Sequence, residues 1–432
     1  MKIHLDLDCY FVSAERTRYP FLKNKNVVIV KGSDKRIFSD GKKEGVLLGD
    51  TRAFNSVLEF RNPKHEDILN AWKNEFIDPD GSIRGIVIAK SYEAKRYKIK
   101  TGTPLVEAFT LCNDLLVLPS DHMFYQELSQ KLKRYLEAKI PVLEQYSIDE
   151  FFGDLTGWIK EEDTQDFITE LRDDIKRRFD LPVSIGASRS KWIAKLLTDE
   201  IKPYGAMVLY DHELRKETAH IPIEDFPGIG RSIFRRLSSH GIKNLGELRE
   251  CPSLLNCYGK IGRDLYKRVC GTDNEAVIPY HDRRGIGMSR NFKAIHNRDE
   301  IFRRVTILAR YLSHSIVKLG VSPLTFYFKI RYEFGYSSKI SVTYHRLFNE
   351  RFFIDLALET IRKLDKYPDY AIHYIAMNAS NFMTPSNLKT YSLLEHDKDK
   401  KMASLNAGLL KIRDKYGVDI VRYGSEKMKA TV

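Results

Sequence analysis

HLDLDCYF, residues 4–11, alternates apolar and acidic positions, and a period of two is the mark of a β-strand. Side chains two apart point to the same face, so Asp6 and Asp8 are expected together on one side. Acids on an apolar strand are costly unless a cation or hydrogen bonds compensate them. A second acidic stretch is YSIDEFF at 146–152, where Asp149 and Glu150 stand side by side amid apolar residues. Neighbours on a regular strand point oppositely, so both can serve one site only where the chain bends or ends. A strand end or hairpin at 147–150 is therefore expected. Three convergent carboxylates raise one another's pKa and cannot all stay ionised uncompensated; divalent metal resolves the conflict. Hard ions such as Mg²⁺ take carboxylate and phosphate oxygens, and a pair of them can clamp the attacking and leaving oxygens of an in-line displacement. No His/Cys cluster accompanies the acids, which argues against zinc. Taken singly, each acidic motif reads equally well as a salt-bridged strand end or a solvated turn.

Working outward, residues 26–30 (NVVIV) and 84–90 (RGIVIAK) read as buried strands, with a long polar interval, 31–83, between their cores. Its one periodic piece, 66–76, sets Ile68, Leu69, Trp72 and Phe76 on one helical face, and the interval is expected to be a surface insertion. Helix-period segments at 123–138 and 165–178 flank the strand-like 141–155. Helices packed on one side of a mainly antiparallel sheet, an α+β domain, is the economical assembly. From about 210 the chain turns to short helices with Gly turns, up to a charged candidate linker at 280–285. Beyond it, strand 286–294, helix 298–318, strands 323–334 and 338–348, helix 351–365 and strand 371–382 give a β-α-β-β-α-β module. A polar tail, 384–432, follows, with a helix over 401–415.

The chain has 432 residues, enough for several domains, and 71 Lys+Arg against 58 Asp+Glu, a net charge of +13 that favours a polyanionic partner. No apolar run reaches the roughly 18 residues of a spanning helix and no signal peptide opens the chain, so no membrane partner is expected. Five cysteines without C-x-x-C spacing point to a reducing compartment, the cytoplasm.

Five segments in order resemble the Y-family (translesion) DNA polymerases, which include bacterial polymerase IV and the catalytic subunit of polymerase V. They are DLDCYFVSAE (6–15), SYEAKRYKIKTGTPLVEA (91–108), YSIDEFFGDLTG (146–157), SIGASRSKWIAKLLTDEIKPYG (184–205) and FPGIGRSIFRRLSSHGIKNLGEL (226–248). The resemblance implies a right-hand polymerase: palm 1–10 and 122–209, small fingers 11–121 with the insertion at 31–83, a helix-hairpin-helix thumb 210–279, linker 280–285, little finger 286–383 and tail 384–432. It implies an error-prone, template-directed enzyme adding dNMPs to a primer 3′-OH in DNA damage tolerance. Asp6, Asp149 and Glu150, with the Leu7 carbonyl, match the ligands of two Mg²⁺ ions. Phe11 matches the steric gate against ribonucleotides, and Tyr10 is expected against the incoming sugar. Tyr92, either Lys95 or Arg96, and Lys202 match the triphosphate contacts. Asp8 falls on a family position outside the immediate metal shell.

For DNA, PGIG (Gly228, Gly230) and the Lys260-Ile261-Gly262 turn resemble the thumb's hairpins, where backbone N–H groups meet phosphate. In the terminal module Lys329 and Arg331 lie opposite Phe326, Phe328 and Ile330, Lys339 lies on the partner strand, and Arg290 and Lys293 on the preceding one. A basic, hydroxyl-rich sheet face matches the family's little finger; the bland alternative is a solvated face. Thr390–Leu394 aligns with the sliding-clamp peptide but lacks its Gln and Phe. The tail 401–426 resembles polymerase V catalytic subunits, implying a monomer or a subunit of a mutasome-like complex. Two rival functions are a non-catalytic DNA-binding accessory subunit, which would lose the acids, and a nucleotidyl cyclase, which needs neither PGIG nor the basic sheet.

Overall fold

The computed structural model describes residues 1–32, 35–39, 45–47, 58–60, 67–78, 80–383 and 394–427. The chain forms two compact units, Met1–Lys31 with Asp67–His281, and Gly32–Glu66 with Asp282–Val432.

The first unit is built on a five-stranded sheet in the order Ala206–Val208, Val183–Ser188, Lys2–Leu7, Glu150–Asp154, Val142–Gln145. All neighbours are antiparallel except Ala206–Val208, which runs parallel to Val183–Ser188. Lys2–Leu7 is central, and from Ile3 onward it is wholly buried, so its acids lie inside the protein. The helix Lys191–Glu200 crosses the face carrying His4 and Asp6 so closely that a Cβ on Gly186 would sit 2.4 Å from the Ala194 carbonyl oxygen. Beside this sheet, Ile86–Lys90, Val27–Lys31 and Leu116–Pro119 form a three-stranded one. The helix expected over 66–76 spans only Ala71–Phe76, with 68–70 in a turn and Leu69 exposed. Phe76 enters the core beside Val28, Val30 and Val87, with Trp72 packed against it. Residues 210–270 are short helices whose core is shared with Ile193, Leu196 and Leu197 of the helix Lys191–Glu200.

The second unit has a four-stranded antiparallel sheet, Gly285–Ile295, Ile372–Phe382, Pro323–Tyr332, Ser337–Thr343, in the expected β-α-β-β-α-β chain order. Helices Arg298–Lys318 and Glu350–Leu364 fill the core with Phe326, Phe328, Ile330 and Tyr332. The tail helix, expected over 401–415, runs from His396 to Tyr416, and its buried positions are polar, Asp399, Asn406 and Arg413. Arg413 pairs with Glu350, and Arg310 with Glu426 and Asp419.

The interval 31–83 departs from the expected insertion at the edge of the fingers. Its segment Lys35–Phe38 belongs to the second unit, where Ile37 and Phe38 are buried in the core. The Phe38 ring meets Phe292 edge-on at 6.0 Å, and the Arg304 guanidinium lies 4.5 Å over it. Arg303 donates two 3.3 Å hydrogen bonds to the Phe38 carbonyl. The chain therefore passes between units at 31/32, 66/67 and 281/282. Sequence pattern missed this because four residues are too few to show a period.

Candidate active site

Antiparallel register sets Asp6 directly opposite Glu150, and the Leu7 N–H donates to the Asp149 carbonyl at 3.0 Å. Residues far apart in sequence thus meet where the strand Glu150–Asp154 begins. Asp149 and Glu150 turn to one site because the strand Glu150–Asp154 begins at Glu150, and Asp149 ends the loop 146–149. Ser147 fixes that loop: its hydroxyl donates to Asp149 Oδ1 at 2.5 Å and accepts from the Asp149 and Glu150 N–H groups.

Two lysines from one helix and its end face these acids. Lys202 Nζ lies 2.8 Å from Asp6 Oδ2 and 2.8 Å from Asp199 Oδ1, and Lys195 pairs with Glu150. Burial pushes the Asp6 carboxyl up to about 8, against the Lys202 ammonium, with Asp149 and Glu150 adding to the rise. Asp149 is likewise raised, first by burial and then by Glu150, while Ser147 opposes the rise. Burial works against the Lys202 charge, but Asp6 and Asp199 outweigh it and hold the ammonium above the usual lysine range. His4, below Asp6 on the same face, is kept neutral by burial and by Lys195, Lys202 and Lys191. Its ring packs 4.6 Å from Phe152.

Among the described residues no three His, Cys, Asp or Glu side chains close into a formed metal cage. The site is instead a set of carboxylates with lysine counter-ions, those of Asp6 and Asp149 raised by burial, a donor set of hard oxygens that suits a divalent cation.

Asp8 departs from the expected strand face. Lys2–Leu7 ends one residue before it, and its buried carboxylate accepts from Ser184, Tyr92 and the Tyr204 N–H. Tyr10 is also corrected: its ring is buried and its hydroxyl donates to the Tyr125 carbonyl at 2.5 Å, so it belongs to the core. Phe11, half-buried, stacks on Tyr125 at 4.5 Å and meets His122 edge-on at 5.6 Å. Of the two basic candidates after Tyr92, both exposed, Lys95 holds its ammonium 4.2 Å over the Tyr92 ring. Sequence reasoning missed Lys195, Asp199, Ser147, Ser184 and His4. Lys195 and Lys202 are seven apart, two helical turns, and that spacing opposite an acidic strand was the available signal.

Gly228 (φ +102°) and Gly230 are exposed immediately before the helix Arg231–Ser239. Gly262 does not turn the chain. It lies inside the helix Gly259–Val269, where a Cβ would sit 1.9 Å from the Leu255 carbonyl oxygen, so it is a packing glycine; the turn is at Gly259 (φ +56°).

In the second unit the sheet face away from the helices carries Thr325, Tyr327, Lys329 and Arg331, registered with Ser337, Lys339, Ser341 and Thr343, and with Tyr374, Asn378 and Ser380. The register puts Arg290 opposite Ile375, on the core side with Met288 and Phe292, so Arg290 leaves this face, while Lys293 alternates onto it. Among the described residues the registered positions of this face hold no acid. Lys329 and Lys339 are directly opposite, a like-charge pair that costs stability unless an anion lies over it. Thr390–Leu393 of the proposed clamp peptide lies outside the described residues. No described helix is long and apolar enough to cross a membrane.

Residues 5–199 match the impB/mucB/samB family, and residues 283–393 match the impB/mucB/samB family C-terminal domain. A DNA polymerase IV of Staphylococcus aureus (strain bovine RF122 / ET3-1) is 30% identical over 296 residues, 67% of this chain and 89% of its own. A DNA polymerase IV of Clostridium kluyveri is 25% identical over 399 residues, 88% of this chain and 97% of its own. Among solved structures, the Y-family DNA polymerase chimera Dbh-Dpo4(243-245)-Dbh superposes with a TM-score of 0.69 at 20% identity, covering 88% of this chain and 99% of that one. An insertion ternary complex of Dbh DNA polymerase gives 0.55 at 19%, with 88% and 99% covered.

Proposed function

The chain belongs to the Y-family DNA polymerases, the impB/mucB/samB family, and from that premise we propose that it is an error-prone translesion enzyme in which Asp6, Asp149 and Glu150, with the Leu7 carbonyl, hold two Mg²⁺ ions. The observation that carries this reading is the direct pairing of Asp6 with Glu150 beside Asp149, with more acid than the adjacent lysines balance. When bound, the ions supply Lewis acidity to the primer 3′-OH and to the pentavalent phosphorus. The chain's own residues do the rest. Lys202 and Lys95 attract the triphosphate, with Tyr92 beneath Lys95. Phe11, backed by Tyr125, bars a ribose 2′-OH. The primer 3′-oxygen attacks the α-phosphorus, and pyrophosphate leaves.

In this reading residues 1–10 and 122–209 are the palm, 11–121 without the segment 32–66 the fingers, 210–279 the thumb and 286–383 the little finger. Primer-template DNA is gripped without sequence preference, by backbone N–H groups at Gly228 and Gly230 and by Lys293, Lys329, Arg331 and Lys339. The opposed Lys329 and Lys339 support a polyanion on that face. Docking to a sliding clamp through Thr390–Leu394 and membership of a mutasome-like complex complete the proposal.

The test is extension of a primed template with Mg²⁺ and dNTPs. Asp149→Asn with Glu150→Gln should abolish extension and leave DNA affinity within about twofold, since none of the basic residues proposed to grip DNA is altered. A double variant that extends as fast as the parent would refute the assignment.

A further inference from the structure

Asp8 stands one residue past the strand that carries Asp6, almost wholly buried, and both of its carboxylate oxygens are engaged. Oδ1 accepts from the Ser184 hydroxyl at 3.0 Å and the Tyr92 hydroxyl at 3.3 Å. Oδ2 accepts from the Tyr204 N–H at 2.7 Å and from Ser184 at 3.2 Å. These donors come from three places. Ser184 is in the strand next to Lys2–Leu7, Tyr92 opens the short helix after Ile86–Lys90, and Tyr204 is in the loop that follows Lys202. The main chain of Asp8 is held as well, its N–H by the Pro182 carbonyl and its carbonyl by the Ser13 hydroxyl.

The loop needs such an anchor. Tyr204 sits at φ +57°, a conformation L-residues avoid, and Gly205 approaches Ile201 so closely that a Cβ would fall 2.3 Å from the Ile201 carbonyl oxygen. The donors gathered here are ones that only a two-oxygen acceptor can satisfy at once.

We propose that Asp8 is a positioning residue for the incoming nucleotide: by tying the Tyr92 hydroxyl and the Tyr204 N–H to the end of the catalytic strand, it presets the distance between the two elements that receive the triphosphate. This rests on the reading of Tyr92 and Lys202 as triphosphate contacts. Both Asp8 oxygens are taken up by protein donors, so its removal should weaken nucleotide capture more than chemistry. Asparagine has one acceptor oxygen, and its amide would point a donor at a donor.

The experiment is single-nucleotide incorporation on a primed template by the full chain, comparing the parent with Asp8→Asn and Ser184→Ala. For Asp8→Asn the KM for dNTP should rise about tenfold, the loss of roughly one good hydrogen bond. The rise should be equal for all four dNTPs, because the triphosphate is their common part. kcat should fall less than about threefold, since no transition-state contact is removed, and the Kd for primer-template should stay put. Ser184→Ala, a smaller lesion in the same cluster, should raise KM by about threefold and should add less than independently to Asp8→Asn. If Asp8→Asn folds and its KM is unchanged, or only kcat falls, the positioning role is wrong. If Asp8→Asn does not fold, an unchanged KM in Ser184→Ala overturns the proposal equally. Parent protein that extends no primer under any divalent cation would instead remove the polymerase reading on which this depends.

Discussion

Replacing Phe38 by alanine tests whether part of the long polar interval belongs to the core of the second unit. The ring is 6% exposed, meets Phe292 edge-on and carries the Arg304 guanidinium over its face. Truncating a buried phenylalanine costs about 3–5 kcal/mol, and the aromatic and cation contacts are already inside that range. The lower end applies here, because a short segment can settle into the gap while the Arg303 bonds to the Phe38 carbonyl persist. For a body of this size each kcal/mol lowers the melting temperature by about 2–4 °C, so a drop of roughly 6–12 °C is expected. Hydrogen exchange resolved by peptide mass should show faster opening in Arg298–Lys318 and Gly285–Ile295, with the five-stranded sheet of the first unit unaffected. Phe334→Ala is the matched control, since that ring is 78% exposed. Equal behaviour of the two variants would refute the docking of Ile37 and Phe38.

In metal-free buffer, stability should fall as pH rises from about 4 towards 8. Folded Asp6 keeps a proton up to about 8 while the unfolded residue loses it near 3.9, so the folded state binds more protons across that window. The slope should be on the order of 1 kcal/mol per pH unit, read from urea midpoints in EDTA, and a slope that persists in Asp6→Asn would discount it. Phe11→Ala should admit ribonucleotides, lowering dNTP over rNTP discrimination by at least about tenfold, on the order of 1.4 kcal/mol; unchanged selectivity removes Phe11 from the site. DNA affinity should drop steeply with salt, and Lys329→Ala or Lys339→Ala should each reduce the log–log slope by about one; a slope indifferent to both would empty that face of DNA.

The strands and helices of the terminal module were legible because each carries several periods of alternation, as in TFYFKIRY with Phe326, Phe328 and Ile330 inward. The turn that lets Asp149 and Glu150 share a site was legible from the geometry of adjacent strand residues. Arg290 was misplaced because assigning a face needs the register, and only its pairing with Ile375 reveals the core side. Gly262 was misread because a glycine that admits a phosphate and one that admits a neighbouring carbonyl look alike in sequence. Tyr10 and Phe11, adjacent aromatics, could not be told apart until the helix Tyr10–Arg18 turned one into the core and left the other half-exposed.

Charge balance among the acids bears on the proposed metal site more directly than any motif. Three acids, Asp6, Asp149 and Glu150, face two ammonium groups, and Lys202 is shared with Asp199. For Asp149 the described partner is the Ser147 hydroxyl, a neutral donor, and its carboxyl is raised by burial. A structural ion-pair network would match its charges, because an uncompensated buried carboxylate costs several kcal/mol in such surroundings. This cluster matches them only while Asp6 keeps its proton. Loss of the Asp6 proton would leave one negative charge in excess among desolvated groups, and that is the charge a divalent ion at the proposed site would compensate.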